Sequence, residues 1–143
     1  MAVDPTRRAA LIRTCRSYAA ANHGELPYVS IEQFFDGNDD LGSILCNLEL
    51  DSLGEIRERL ERVRAHPDVY SLLVHVNETM EEDPECWPFS EQVLVITSLN
   101  DDDEVADLFG EEFRPDEVWE LEDAPEELTH ADPPRRGVIC WWD

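Results

Sequence analysis

Apolar residues recur every three or four positions near the start of the chain. The stripe runs from Leu11 to Ala19 and follows Asp4 and Pro5, a capping carboxylate and a proline suited to the first helical position. We therefore predict an amphipathic helix over residues 5–22.

A second helical stripe follows about forty residues later, with Asp51 or Ser52 as its cap and Pro67 after its end. Its apolar positions are Leu53, Ile56, Leu60 and Val63. Between the two helices, Ser30 and Gln33 have the spacing of a capping box, which predicts one or two further helical turns. A third helix is predicted to open in the acidic run that begins at Asn100.

Alternating apolar positions predict strands in the rest of the chain. Both faces are apolar over Val69–Val76 and over Gln92–Ser98, which is typical of central strands. The other three predicted strands are Ser43–Leu48, Glu117–Leu121 and Val138–Trp142.

The order of elements from Ser43 onward is strand, helix, strand, strand, helix, strand. This order predicts an α+β fold with a ferredoxin-like βαββαβ core, an antiparallel sheet carrying two helices on one face. The N-terminal helix and the C-terminal strand are predicted to be additions that cover the open face or extend an edge. A chain of 143 residues fits a single domain. Its predicted parts are residues 1–24, the helix; 25–121, the core; 122–136, an acidic and proline-rich loop; and 137–143, the last strand.

Charge is concentrated in one stretch of the sequence. The chain has 34 acidic and 11 basic residues, a net charge of −23, and all its basic residues are arginine. Residues 77–132 hold 21 of the acids and one arginine. Such a field attracts basic proteins and repels nucleic acid, so we expect a basic protein partner and no direct nucleic-acid ligand. A saline host or a simple need for solubility explains the acidity equally well.

No apolar run is long enough to span a membrane, and none follows Met1 that would serve as a secretory signal. We therefore expect a cytoplasmic protein with no membrane partner.

Two acidic segments are the predicted partner-binding surface: the loop over residues 78–90 and the acids between Asp101 and Glu127. An aromatic residue amid acids is a suitable anchor for an arginine-rich surface, which makes Trp87 the candidate anchor. The candidate residues are Glu81, Glu82, Asp83, Glu85, Trp87, Asp101, Asp102, Asp103, Glu111 and Glu112.

Asp36, Asn38 and Asp40 alternate as in the opening of a calcium loop, and a metal-dependent enzyme using Asp36, Asp39 and Asp40 is an alternative function. The match then fails, because Leu41 stands where a calcium loop requires glycine. A turn held by side-chain hydrogen bonds accounts for the pattern better. No two of the four cysteines have metal-ligand spacing, and we expect no catalytic residues and no cofactor.

Trp141 and Trp142 must face opposite sides of the last strand. One can enter the core, while the other needs a cover. A structural homodimer formed through this strand is therefore a further alternative.

Three segments resemble a family of small acidic uncharacterised bacterial proteins. They are Val29–Asp40 with the following Gly-Ser-Ile-Leu-Cys-Asn-Leu, Trp87–Ser90, and Pro115–Glu120. The resemblance implies no known activity, substrate or cofactor. In composition alone, the chain is also similar to immunity proteins that neutralise basic toxins. Together these features favour a non-enzymatic, acidic protein-binding module, with an immunity or inhibitor protein as its concrete form.

Overall fold

The computed structural model describes residues 3–44, 52–122 and 130–142. The described part contains four α-helices, one 3-10 helix (Leu41–Ser43) and five strands. The helices are α1 (Pro5–Ala21), α2 (Ile31–Phe35), α3 (Leu53–Arg64) and α4 (Asp102–Asp107). The strands are β1 (Tyr28–Val29), β2 (Val69–His75), β3 (Gln92–Thr97), β4 (Glu117–Glu120) and β5 (Arg136–Trp141). None of the helices in these ranges is long and apolar enough to cross a membrane.

The helices begin where local capping groups place them. The Asp4 carboxylate accepts hydrogen bonds from the amides of Thr6 and Arg7, with Pro5 as the first helical residue of α1. Ser30 forms the predicted capping box of α2 with Gln33. Each carboxylate or hydroxyl satisfies an amide that has no partner inside its helix. The predicted starts of α1 and α2 are therefore confirmed.

The cap of α3 is Ser52, whose side chain accepts from the amide of Glu55. Along α3, an ion pair of 2.7 Å joins Glu58 to Arg62 one turn later. The third predicted helix is also present, as the short α4, which Asp101 caps.

The five strands form one antiparallel sheet in the order β1-β2-β3-β5-β4. All described helices contribute side chains to a single core against one face of it, which we call the inner face. The strand residues of that core include Leu72, Val74, Val93, Val95, Val138 and Cys140. The opposite face, the outer face, carries a second and smaller apolar cluster centred on Leu94, Ile96 and Ile139.

The α+β class with an antiparallel sheet is confirmed, whereas the ferredoxin-like strand order is not. A ferredoxin-like core places its first strand beside β3, but here β5 occupies that position and pairs along its length with β3. The prediction that the C-terminal strand is a peripheral addition is wrong, because β5 lies between β3 and β4. Its residues Val138 to Cys140 are buried on both faces, which suits an interior strand.

Two predicted segments fall partly outside the described residues. Of the predicted strand Ser43–Leu48, Ser43 ends the 3-10 helix and Ile44 makes a single parallel bridge to Ser90. Residues 45–48 lie outside the description, as do residues 123–129 of the predicted loop 122–136.

Candidate functional site

The acidic loop that follows β2 is held against α1 by two arginines. Arg8 donates from Nε to the carbonyl oxygen of Cys86 at 2.7 Å, and from Nη2 to those of Met80 and Asp83 at 2.7 and 3.0 Å. Arg16 forms an ion pair of 2.5 Å with Glu81. Because the Arg8 bonds go to backbone carbonyls, the loop keeps its carboxylates available while its backbone is fixed. Glu82 and Glu85 remain exposed.

Trp87 does not anchor a partner. Its side chain is only 1% exposed and belongs to the core, while its backbone amide donates to Asp40 Oδ2 at 3.1 Å. An indole with that exposure presents no ring face to another protein, so this prediction is corrected. The indole Nε1 has no hydrogen-bond partner within the structure.

The predicted acids near α4 have separate local partners. Asp101 caps the helix, Asp102 pairs with Arg136 at 2.7 Å, and Asp103 lies 3.8 Å from Arg114. Glu112 pairs with Arg59 of α3 at 3.1 Å, and Glu111 is exposed. None of these pairs connects to the loop held by Arg8 and Arg16. The predicted binding acids thus form two groups supported by different arginines.

The Asp36–Asp40 turn is held together by hydrogen bonds and an ion pair of its own side chains. Asp36 pairs with Arg57 at 2.9 Å, and Asn38 Oδ1 accepts from the amide of Asp40. Asp40 Oδ1 accepts from the amide of Gly42, and its Oδ2 accepts from the amide of Trp87. These contacts support the side-chain-bonded turn, since they occupy oxygens that a calcium ion would need. Over the described ranges, no three His, Cys, Asp or Glu side chains are grouped to hold a metal ion.

The described cysteines are not activated thiols. Burial raises the pKa of Cys15 to about 11 and that of Cys140 to about 12. The pKa of Cys86 is raised chiefly by its hydrogen bond to the Asp83 carboxylate, 3.3 Å away. Because the thiolate is the nucleophile, these shifts weaken all three as nucleophiles at neutral pH. Cys46 lies outside the described residues.

The two terminal tryptophans are divided between the faces, as predicted. Trp142 is 2% exposed, donates from Nε1 to the carbonyl oxygen of Phe113 at 3.1 Å and packs edge-on against Phe109. Trp141 lies in the register row of Gln92 and Glu117 on the outer face. Both edges of β5 are occupied by β3 and β4, so a dimer cannot form by adding a strand to β5.

The outer face contains a groove that sequence reasoning did not identify, with a volume of about 730 Å³. Its floor consists of Leu94 and Ile96 on β3 and Ile139 on β5. We call this feature the outer groove. Its volume lies within the range of ligand-binding clefts in proteins.

The walls of the outer groove are aromatic and aliphatic. Tyr28 and Leu73 stand on one side, and Trp119 and Leu121 on the other. Register pairing aligns Leu73, Leu94, Ile139 and Trp119 as one continuous row across four strands. Trp119 remains 38% exposed, so the row ends in an accessible indole.

Only acidic charges line this groove: Glu25 beside the Tyr28 wall, and Glu120 and Glu122 beside the Trp119 wall. No arginine or histidine is among the described residues that line it. The apolar pattern on both faces of β3 was the signal in the sequence. It indicated a strand covered on both sides, and Leu94 and Ile96 on the outer side are indeed buried, in the small cluster that forms the floor of the groove.

His75 lies on the outer face next to the groove wall. Its ring packs on Tyr28 with ring centroids 4.6 Å apart, and its Nδ1 is buried without a hydrogen-bond partner. Burial lowers the pKa of His75, while hydrogen bonds involving Leu26, Gln92 and Asn77 partly oppose the shift. The imidazole is therefore held in its neutral form more strongly than in water.

A family model described as the uncharacterized protein YfbO family matches residues 6–142. A relative from Escherichia coli (strain K12), the uncharacterized protein YfbO, is 39% identical over 120 residues, covering 82% of this chain and 83% of that protein. No solved structure matches. The match spans almost the whole chain and confirms the resemblance to an uncharacterised bacterial family: the chain belongs to the YfbO family.

Proposed function

We propose that the protein is a non-enzymatic, acidic module that binds a basic partner protein, in the manner of an immunity or inhibitor protein. The observation that supports this proposal is that most of the chain's arginines are bonded within the molecule. Nine of them are bonded to acceptors inside the molecule, so they do not offer free positive charge to a partner. They are Arg7, Arg8, Arg16, Arg57, Arg59, Arg62, Arg64, Arg114 and Arg136.

Internal pairing leaves a large surplus of carboxylates. With 34 acids against 11 arginines, most acids have no basic residue to pair with. Glu82, Glu104 and Glu111 are exposed and make no ion pair among the described residues. A surface of one sign accelerates association with an oppositely charged protein and disfavours acidic ones. Part of this surplus lies on the acidic loop, whose backbone Arg8 fixes in position.

Capture from a lysate of the native host tests this proposal. The immobilised protein should retain a basic protein at about 0.1 M salt and release it at about 1 M, over which the Debye length falls from about 10 to about 3 Å. A retained protein that is equally bound at both salt concentrations, or that is itself acidic, would contradict the proposal.

Two variants of equal net charge make the test specific. E78Q/E82Q/E85Q removes three exposed acids of the loop, and E55Q/E58Q/E61Q removes three from α3. The loop variant should lose most of the captured partner, whereas the α3 variant should retain it. The released partner is then assayed for its own activity with and without the protein, and a neutralising function requires stoichiometric inhibition.

A further inference from the structure

The outer groove is an apolar surface where an open antiparallel sheet normally shows polar side chains. Leu73, Leu94, Ile139 and Trp119 form one row across it, and Ile96 extends the floor along β3. The floor residues Leu94, Ile96 and Ile139 are 6–8% exposed, and Trp119, at 38%, is the most accessible side chain of the row. An apolar groove bordered by charged residues is typical of an interaction site. The core residues of the described helices lie against the inner face, and Tyr18 of α1 also lines the groove.

The dimensions of the groove match a helix. Its walls stand on β2 and β4, with β3 and β5 as the floor between them. Neighbouring strands lie about 4.8 Å apart, so the walls are separated by about 14 Å at the backbone. An α-helix with its side chains is about 10–12 Å across. Because these four side chains project from the same face, one helix laid over the floor strands would span the row from Leu73 to Trp119.

The acidic residues at the groove indicate that the bound helix is basic. Glu25 lies beside one wall, and Glu120 and Glu122 lie beside the other. A helix with an apolar stripe and arginine or lysine on both flanks would contact the row with its stripe and these carboxylates with its flanks. A second copy of this chain is a poor occupant, because two acidic rims would face each other at a net charge of −23 per chain.

We propose that the outer groove binds a basic amphipathic helix of the partner protein. This inference rests on the proposed function and adds a second contact surface to it: the loop acids attract the basic partner, and the outer groove holds one helix of that partner. The mode is helix-in-groove recognition, in which apolar anchors spaced three and four residues apart supply contact area. Trp119, at the end of the row, is the exposed aromatic contact on this side of the complex, and Glu120 and Glu122 select for positive charge.

Three synthetic peptides of about 18 residues, or five helical turns, provide defined probes. The first has leucine at helical spacing and arginine on both flanks. The second has the same composition in scrambled order, and the third replaces arginine with glutamate. We expect the first to bind by calorimetry and to shift the amide resonances of β2–β5 residues that line the groove. The scrambled peptide should bind roughly tenfold more weakly, and the acidic one not at all.

Variants then locate the site. W119A should weaken the amphipathic peptide roughly tenfold, whereas L41A, which removes an exposed leucine elsewhere, should have no effect. E120Q/E122Q should also weaken binding, and E82Q/E104Q, which has the same net charge, should change it less than about twofold. Circular dichroism and urea unfolding confirm that each variant is folded before its affinity is compared.

The outcomes separate the two proposals. If scrambled and amphipathic peptides bind equally, and the two double variants weaken them equally, recognition is by charge alone: the groove is not the site, but the acidic binding function stands. If no cationic peptide binds, the helix proposal fails, and the lysate capture decides the acidic binding function separately. If the free protein sediments as a dimer that W119A converts to a monomer, the groove is covered by a second copy and the helix proposal is overturned.

Discussion

Arg8 on α1 and Cys86 in the acidic loop are joined by a hydrogen bond of 2.7 Å, from the guanidinium Nε to the carbonyl oxygen. The same guanidinium reaches the carbonyls of Met80 and Asp83. Met80 has a φ of 54°, in the left-handed region that side chains rarely adopt. Arg8, which is half-buried, thus stabilises this backbone conformation of the loop.

We expect Arg8→Ala to destabilise the protein by about 2–3 kcal/mol, because three hydrogen bonds from a charged donor are lost. The carbonyls of Met80 and Asp83 keep their bonds from the amides of Asp83 and Cys86. Urea unfolding measures this change, and hydrogen exchange should show faster exchange at the amides of residues 80–86. Arg13→Ala is the control, since Arg13 is exposed on the same helix, and it should change stability by less than about 0.5 kcal/mol. Equal effects of the two substitutions would contradict the role given to Arg8.

The helices were predictable because their signals are local. Asp4, Ser30 and Ser52 each cap a helix within three residues of the amide that they bond. The position of β5 was not predictable in this way. Its apolar residues show that it is a strand, but its place beside β3 depends on pairing between residues that are distant in sequence, from Thr97 with Arg136 to Gln92 with Trp141.

Trp87 and the outer groove are two places where the sequence pattern did not predict which residues of the fold surround a side chain. Trp87 has acidic neighbours in sequence, which suggested exposure, yet it is enclosed by core residues distant along the chain. Leu94 and Ile139 have apolar neighbours, which suggested cover by a helix on both faces, yet the main helical core lies on the other face and these two residues are buried in a small cluster that forms the floor of a groove. Alternation shows which residues share a face of a strand. It does not show what lies against that face.

Trp142 and Trp87 allow a direct comparison of two buried indoles. Trp142 Nε1 donates to the Phe113 carbonyl, whereas Trp87 Nε1 has no partner. Substitution by phenylalanine removes a similar volume at both positions, but only at Trp142 does it remove a hydrogen bond and leave a carbonyl unpaired. We therefore expect Trp142→Phe to cost about 1 kcal/mol more than Trp87→Phe, measured by urea unfolding of the two variants. A larger cost at Trp87 would show that its indole N–H has a partner in solution.

Asp40 distinguishes a structural turn from a metal site. Asp40→Ala removes the acceptors for the amides of Gly42 and Trp87, and we expect a loss of about 1–2 kcal/mol in stability. The loss should be the same in calcium, in magnesium and in EDTA, because it arises from lost hydrogen bonds. Differential scanning calorimetry measures the melting temperatures. If calcium or magnesium raises the melting temperature of the unsubstituted protein and not that of Asp40→Ala, the turn is a cation site.

His75 makes stability depend on pH near neutrality. Burial lowers its pKa in the folded protein below the ordinary value of about 6.5 that it regains on unfolding. Between these two values the unfolded chain binds a proton that the folded chain does not. The free energy of unfolding therefore falls as pH drops from about 7.5 through 6.5 toward the folded pKa.

The many carboxylates also make stability depend on pH. The contribution of His75 is isolated by comparing how much stability the unsubstituted protein and His75→Gln each lose over the same pH range. We expect the loss of stability between about pH 7.5 and about pH 5.5 to be larger in the unsubstituted protein than in His75→Gln. The difference is at most about 1.4 kcal/mol per pH unit, and partial exposure of the ring makes it smaller than this limit. His130→Gln, at an exposed position, serves as the control and should follow the unsubstituted protein. Urea unfolding across this range gives each curve. Parallel curves for His75→Gln and the unsubstituted protein would mean that His75 titrates alike in the folded and unfolded chains, and that the packing of Tyr28 on its ring does not exclude water.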